Sequence, residues 1–344
     1  MRHVGLIHLI CVSPVAVIRI CVELEPCCSQ APMNVGPLRF FHVNVNCSDL
    51  ERSLEFYRDH IGLRPTVRTR PEQPQPGSAF GLKEVQWDAW MLAGDDAAGG
   101  TLLDLLEWKV PVGEGSPPET VFALGFSRLC ITSDDLAGLH QQLTETGHDV
   151  WSLPVRPGNE AEDLTGREYF LCSDPDGTSL QFVRGDSTRL AGVNVNCSDL
   201  ERSRHFYCDV LGLEAQHRFT SADPQPVEGF GAEDMLSWDA WRIGGSDSDS
   251  GQFTLDLVEW KSPKAGRSVQ RRANELGIFR MALLTDDIDR DYEALLNAEI
   301  TCFSPPVALE MGPGLPSDLR ALFFLDPDGT CVELIESPRT DQST

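Results

Sequence analysis

The stretch VNVNCSDLERS stands at residues 43–53 and again, unchanged, at 193–203. A chain that repeats eleven residues at this separation has been duplicated, and duplication narrows the folds open to it. The correspondence runs on through Phe56-Tyr57 and Phe206-Tyr207, Trp87-Asp88-Ala89-Trp90 and Trp238-Asp239-Ala240-Trp241, and the DPDGT segments at 174–178 and 326–330. The offset drifts only from 150 to 152 across the whole copy. The front edge of the repeat differs: His42 precedes the first copy and Gly192 the second.

Inside each copy the elements alternate in a fixed order. FFHVNVN is β-branched and alternating, which predicts a strand. Ser48 or Asp49 can cap the helix LERSLEFYRDHIG, which closes at Gly62. Three further strand-like runs follow: LRPTVRTR, VQWDAWMLAG and TLLDLLEWKV. The order then restarts with GFSRLCITSDD as strand, LAGLHQQLTETG as helix, an irregular segment, and REYFLCS and TSLQFVRG joined by an Asp-Pro-Asp-Gly turn. Each copy therefore reads as two β-α-β-β-β units. The expected class is α+β, with four units in two tandem domains, 37–185 and 188–337, each enclosing a cleft.

Residues 1–36 are expected to lie outside this fold, and 338–344 form a tail. The leading MRHVGLIHLICVSPVAVIRIC has the basic start and apolar run of an export signal. His8, Pro14 and Arg19 interrupt it, and no small-residue cleavage site follows. It is too broken to span a membrane. An extension from an upstream start, a targeting signal and an added strand all stay open.

Acidic residues outnumber basic ones 53 to 28, for a net charge of −25. Such a surface repels phosphate backbones and anionic lipid, which argues against nucleic acid and membranes as partners and leaves small molecules. The eleven cysteines are odd in number and form no CxxC pair with a matching partner. That suits reduced, buried thiols in a cytoplasmic protein.

His42 opening SDLERSLEFYRDHIGL, the LDLLE run at 103–107, and the two DPDGT turns followed by Gln181 or by Val332-Glu333-Leu334 give the chain a recognisable order. In that order it resembles the vicinal oxygen chelate superfamily, which includes glyoxalase I, methylmalonyl-CoA epimerase, extradiol dioxygenases and bleomycin-resistance proteins. The resemblance covers nearly everything after residue 36. It implies paired units whose curved sheets enclose a cleft, with a divalent metal held by one residue from each of four strands. Paired in sequence order, the implied ligand positions fall on His42, Asp104, Arg128 and Gln181, and on Gly192, Asp256, Arg280 and Glu333. Glycine has no donor and a guanidinium has no lone pair, so neither set is complete. His42, Asp104 and Gln181 remain as donors for one divalent transition metal in the first domain. Were the first unit to pack on the fourth, His42, Asp104 and Glu333 would share a cleft with Arg280. Sequential pairing has shorter connections and is the expected arrangement.

His42 shares a strand face with Asn44 and Asn46, either as the lining of a wet cavity or as a solvent-facing edge. It suits a general base. Arg128 and Arg280 each read either as an internal ion pair with Asp104 or Asp256, or as a fork for a substrate carboxylate, phosphate or enolate oxygen. Trp87 and Trp90, like Trp238 and Trp241, stand three apart and so face opposite sides. One of each pair can line a cleft beside a planar ligand while the other packs in the core. Glu107 and Glu259 point away from it.

These residues favour an enzyme acting on a small oxygenated metabolite, of lyase, isomerase or cyclase type. His42 would move a proton and Arg128 or a metal would steady an enolate oxygen in the first domain, with Asn44, the tryptophans and Arg280 contacting ligand. A metal-free binding protein of the bleomycin-resistance type, for a planar or anionic molecule, and a structural remnant are the alternatives. Tandem domains fit a monomer or a homodimer.

Overall fold

The repeated stretch folds the same way twice in the computed structural model, which describes residues 35–336 apart from 96–99, 157–166, 222, 225–226, 228, 231–234, 246–252, 265, 267–270 and 317–318. The expected leading extension, up to residue 34, and the tail lie outside the described residues. In each copy the turn after the first strand ends at an aspartate whose side chain accepts from the backbone three residues on, Asp49 from Arg52 and Asp199 from Arg202. That satisfies an orphan donor of the first helical turn. The helix continues as a π-helical turn and closes at Gly62 or Gly212, with φ of +92° and +75° that favour glycine.

The first unit comprises β1 (Arg39–Asn46), α1 (Leu50–Glu55), β2 (Arg64–Thr69), the two-residue β3 (Gln75–Pro76), β4 (Glu84–Ala93) and β5 (Leu102–Val110). The second holds β6 (Gly125–Ser133), α2 (Leu136–Glu145), β7 (Tyr169–Ser173) and β8 (Ser179–Arg184). The third holds β9 (Arg189–Asn196), α3 (Leu200–Arg204), β10 (Glu214–Thr220), β11 (Ser237–Gly244) and β12 (Thr254–Ser262). The fourth holds β13 (Gly277–Thr285), α4 (Ile288–Asn297), the short β14 (Val307–Ala308), β15 (Arg320–Leu325) and β16 (Cys331–Glu336).

The units do not pair in sequence order. One sheet runs β14-β15-β16-β13-β1-β5-β4-β2, so the first unit is joined to the fourth. The other runs β10-β11-β12-β9-β6-β8-β7 and joins the third to the second. Each sheet has an antiparallel seam at its centre, β1 on β13 or β9 on β6, flanked by parallel neighbours. Short connections do not decide the pairing, because residues 111–124 and 263–276 are long enough to reach up to about 45 Å.

Two sets of contacts hold the arrangement. Asn46 donates 2.7 Å hydrogen bonds to the carbonyls of Ala273 and Glu275, on the segment that leads into the fourth unit, and accepts from Trp108. Asn196 does the same to Val121 and Ala123, leading into the second unit, and accepts from Trp260. Consecutive units meet instead through their helix side. Tyr57 donates to Asp174 while Ser48 and Arg52 bind Asp176, and Tyr207, Ser198 and Arg202 repeat this with Asp326 and Asp328. One contiguous core gathers residues from both sheets and all four helices, including Val43, Leu54, Leu139, Val193, Leu200 and Leu295. Smaller clusters around Trp87 and Trp108, and around Trp238 and Trp260, line the other faces. The seven cysteines among the described residues are free thiols. No described helix is long and apolar enough to cross a membrane.

The head of each DPDGT turn is a buried titrating group. Asp174 accepts the backbone N–H groups of Asp176 and Thr178 and the Tyr57 hydroxyl, yet burial raises its carboxyl to about 6; Asp326 is raised alike. A folded-state value above the unfolded one means that the stabilisation from the bound proton is full below about pH 4 and is lost as pH climbs through about 6. That amounts to roughly 3 kcal/mol per carboxylate. In urea melts between about pH 4 and about pH 6, the unfolding free energy of the protein relative to an Asp174→Asn, Asp326→Asn variant should fall as pH rises. A flat difference would contradict the burial argument.

Candidate functional site

Strand register brings one side chain from each of four central strands to a single point. Asn44 of β1 lies opposite Asp104 of β5, His42 opposite Ala282 of β13, and Ala282 opposite Glu333 of β16. Arg280 precedes Ala282 by two and shares its face. His42, Asp104, Arg280 and Glu333 are all buried. The Arg280 guanidinium spans the two carboxylates, with Nε 2.7 Å from Glu333 Oε2 and Nη2 2.7 Å from Asp104 Oδ2. His42 Nε2 lies in ion-pair range of both carboxylates, 3.3 Å from Glu333 and 3.8 Å from Asp104, and hydrogen-bonds to neither. Both ring nitrogens of His42 and Nη1 of Arg280 are thus buried without a hydrogen-bond partner in the protein. Burial works to raise the Glu333 carboxyl, but Arg280 and then His42 outweigh it and hold the group below its usual range. Burial likewise opposes the Arg280 charge, and Glu333 and Asp104 overcome it.

This charged floor faces a cavity of about 260 Å³ whose walls are apolar, among them Phe41, Val67, Met91, Leu309, Met311 and Leu315. Trp87 lines it with its indole N–H fixed on Thr69 Oγ1 at 3.0 Å. Trp90 packs against the main core, beneath the Arg68 guanidinium. Asn44 donates to Asp104 Oδ2 and to the Asp104 carbonyl, both at 3.2 Å, and so orients that carboxylate from behind. Glu107 accepts from the backbone of Leu50 and serves α1.

Gln181 and Arg128 lie elsewhere, which corrects the set His42, Asp104 and Gln181. Both belong to the second sheet, where Arg128 Nε donates to Gln181 at 2.8 Å and Nη1 to Asn194 at 3.0 Å. Pairing of the first unit with the fourth puts Glu333 beside His42 in place of Gln181, and Arg280 in place of Arg128. In that second cleft Gly192 has no room for a side chain, since a Cβ would stand 2.7 Å from the Thr254 carbonyl. Trp238 is buried in its concave cluster against Trp260, and Trp241 lies beneath Arg218. The wall residues Leu309, Met311, Leu315, Pro316 and Leu319 were missed by sequence reasoning, because scattered apolar residues carry no chemical signature.

The metal that the resemblance implies meets an obstacle in the donor set. His42, Asp104 and Glu333 are suitable donors, but Arg280 stands in the fourth position and already holds both carboxylates. It offers protons where a cation needs lone pairs. The described residues contain no group of three histidine, cysteine or carboxylate side chains set for a metal ion. The site as built does not fit one.

Four β-α-β units paired into two curved sheets, each with a cleft on its concave face, define the class of protein. The pattern of the Glyoxalase/Bleomycin resistance protein/Dioxygenase superfamily matches residues 39–182 and 189–334, and the chain belongs to that superfamily. Among curated relatives, lactoylglutathione lyase GLX1 of Arabidopsis thaliana is 21% identical over 308 residues, 87% of this chain and 92% of the relative. The uncharacterized protein YaeR of Escherichia coli is 26% identical over 144 residues, 42% of this chain and 92% of its own. Glyoxalase I from Zea mays shares the fold with a TM-score of 0.61 at 20% identity, covering 87% of this chain and 92% of that one.

The obstacle can be removed by one change. Arg280→His would leave two imidazoles and two carboxylates facing one point, a donor set suited to zinc, nickel or manganese. Titration calorimetry should then show one ion bound per chain, roughly 100-fold more tightly than by the unaltered protein. Equal affinities would mean that Arg280 is not what opposes the ion.

Proposed function

We propose that the first cleft is the active site of an enzyme that moves a proton on a small, largely apolar oxygenated substrate, in a lyase or isomerase type of reaction, without needing a metal. The observation that carries this reading is the His42 imidazole, buried with neither ring nitrogen hydrogen-bonded, beside an Arg280 Nη1 that likewise has no hydrogen-bond partner. Buried polar atoms in folded proteins are paired almost without exception, so three at one point mark a place for a ligand. A carbonyl or enolate oxygen on Arg280 Nη1 would be held by a charge-assisted hydrogen bond. His42 would take the proton from the adjacent carbon and return it, with Glu333 and Asp104 stabilising the imidazolium formed. Asn44 keeps Asp104 in place, and the apolar walls exclude water.

The relatives named lactoylglutathione lyase suggest a glutathione thioester as one candidate. Such a molecule brings two carboxylates, and the cation among the described lining residues is Arg280, already shared by Asp104 and Glu333. A smaller substrate with one oxygen function suits the cavity better. Both clefts are completed within one chain, which supports a monomer as the working unit.

Chelator-treated protein should catalyse exchange of the proton next to the carbonyl in one or more of a panel of small ketones and 2-hydroxyketones in deuterated water, followed by NMR. His42→Gln should lower the rate by roughly 10² to 10⁴-fold, and Arg280→Lys should weaken it further than substrate binding. S-lactoylglutathione should not be turned over. Tight binding of panel members with no exchange, unaltered by His42→Gln, would replace catalysis by sequestration as the role of this cleft.

A further inference from the structure

The second cleft repeats the first with its charges rearranged. Counting along the repeat and its ladders, Asp256 stands for Asp104 and Arg242 for Met91, each pair facing across the same two strands. On the paired unit, Arg128 stands for Arg280, Gln181 for Glu333 and Arg167 for Leu319. A carboxylate has become an amide, and two apolar wall positions have become arginine. The first cavity carries two carboxylates against one arginine, and the second carries four arginines, Arg189 among them, against one aspartate among its described lining residues.

The single aspartate is engaged. Arg242 holds Asp256 in a two-point fork at 2.9 and 3.0 Å. Arg128, at the centre, has Gln181 and Asn194 as its hydrogen-bond partners, both uncharged, and lies over the Phe230 ring at 4.9 Å. It is 1% exposed. Burial pulls its guanidinium down to about 10, with the Asp256 charge opposing, so it stays charged near neutrality. The oxygens of Gln181 and Asn194 both point at Arg128, which leaves their amide N–H₂ groups, Gln181 Nε2 and Asn194 Nδ2, buried with no partner. A buried cation beside two idle donors is costly unless an acceptor with negative charge completes the group. The cavity, about 380 Å³, has room for one.

We propose that the second cleft is a binding site for a small oxyanion, a carboxylate or phosphate, held by Arg128 with the amides of Gln181 and Asn194. The anion takes the place that the Glu333 carboxylate fills internally in the first cleft. Arg167, Arg189 and Arg242 line the same cleft, so an anion that enters this crevice meets arginine side chains on a chain that is otherwise strongly acidic. It rests on the second sheet alone and stands whatever the first cleft does.

The test uses the full chain, with inorganic phosphate and succinate as probes in calorimetry and thermal melts. At least one should bind with one equivalent per chain and raise the melting temperature, and added salt should weaken it. A response to phosphate alone or to succinate alone names the class of anion. Gln181→Glu builds into this cleft the carboxylate that the first cleft accommodates, so it should fold, melt higher without ligand, and lose at least roughly 10-fold in anion affinity. Arg128→Met should lose the same affinity by the opposite route. Absence of any response to both probes, or an unchanged affinity in folded Gln181→Glu protein, would overturn the proposal.

Discussion

The antiparallel seam between β1 and β13 is the contact on which the rest depends. It joins strands some 240 residues apart in the chain, Val43 lying opposite Met281 and His42 opposite Ala282. With β5 and β16 added in parallel on either side, the four strands that carry His42, Asp104, Arg280 and Glu333 become neighbours. The seam in the other sheet, β9 on β6, follows from the same geometry and collects Gly192, Asp256, Arg128 and Gln181. Had each repeat closed on itself, His42 would face Arg128 and Gln181, with a different charge and a different set of walls. The composition of both clefts is a consequence of which unit finds which.

Much of the local structure is legible in the residues. The unit order, the Asp49 cap, the Asp-Pro-Asp-Gly turns and the outward pointing of Glu107 all follow from spacing and turn chemistry. So does the division of Trp87 from Trp90, since three residues on a strand reverse the face. The partner of each unit is a different matter. Duplicated units present nearly equal strand edges, and edge pairing uses backbone groups that every residue shares. Asn46 fastens its pairing through the carbonyls of Ala273 and Glu275, but Asn196 makes the same bonds to Val121 and Ala123, and none of these acceptors has a side-chain signature. Reasoning from connection length favoured the neighbour, and the fourteen-residue crossovers make that reasoning void.

Arg128 and Arg280 show how far a residue's role is set by its surroundings. Both are buried on a strand of a seam, and both donate through Nε to a residue in the middle of the adjacent parallel strand. For Arg280 that residue is Glu333, and Asp104 takes a second N–H, so the guanidinium is neutralised from within. For Arg128 it is Gln181, and Arg242 has claimed the aspartate. A change from glutamate to glutamine and another from methionine to arginine thus turn a closed ion group into an open one. A shared arginine in a duplicated chain is no evidence of a shared ligand.

The retention of VNVNCSDLERS alongside the loss of the histidine before it has a physical basis in what each position touches. Val43 and Val45 fill the common core, Asn46 fastens the crossover to the paired unit, and Ser48 and Arg52 fasten the turn of the consecutive one. Together these residues serve two interfaces, and a change in any of them loosens one. Position 42 faces only the cleft. Its imidazole makes no hydrogen bond within the protein, whereas its counterpart Gly192 is packed against the Thr254 carbonyl, which leaves no room for a side chain in the second copy. Identity between the copies therefore reports the scaffold, and chemistry is to be sought where the copies differ: at 42 and 192, 333 and 181, 91 and 242.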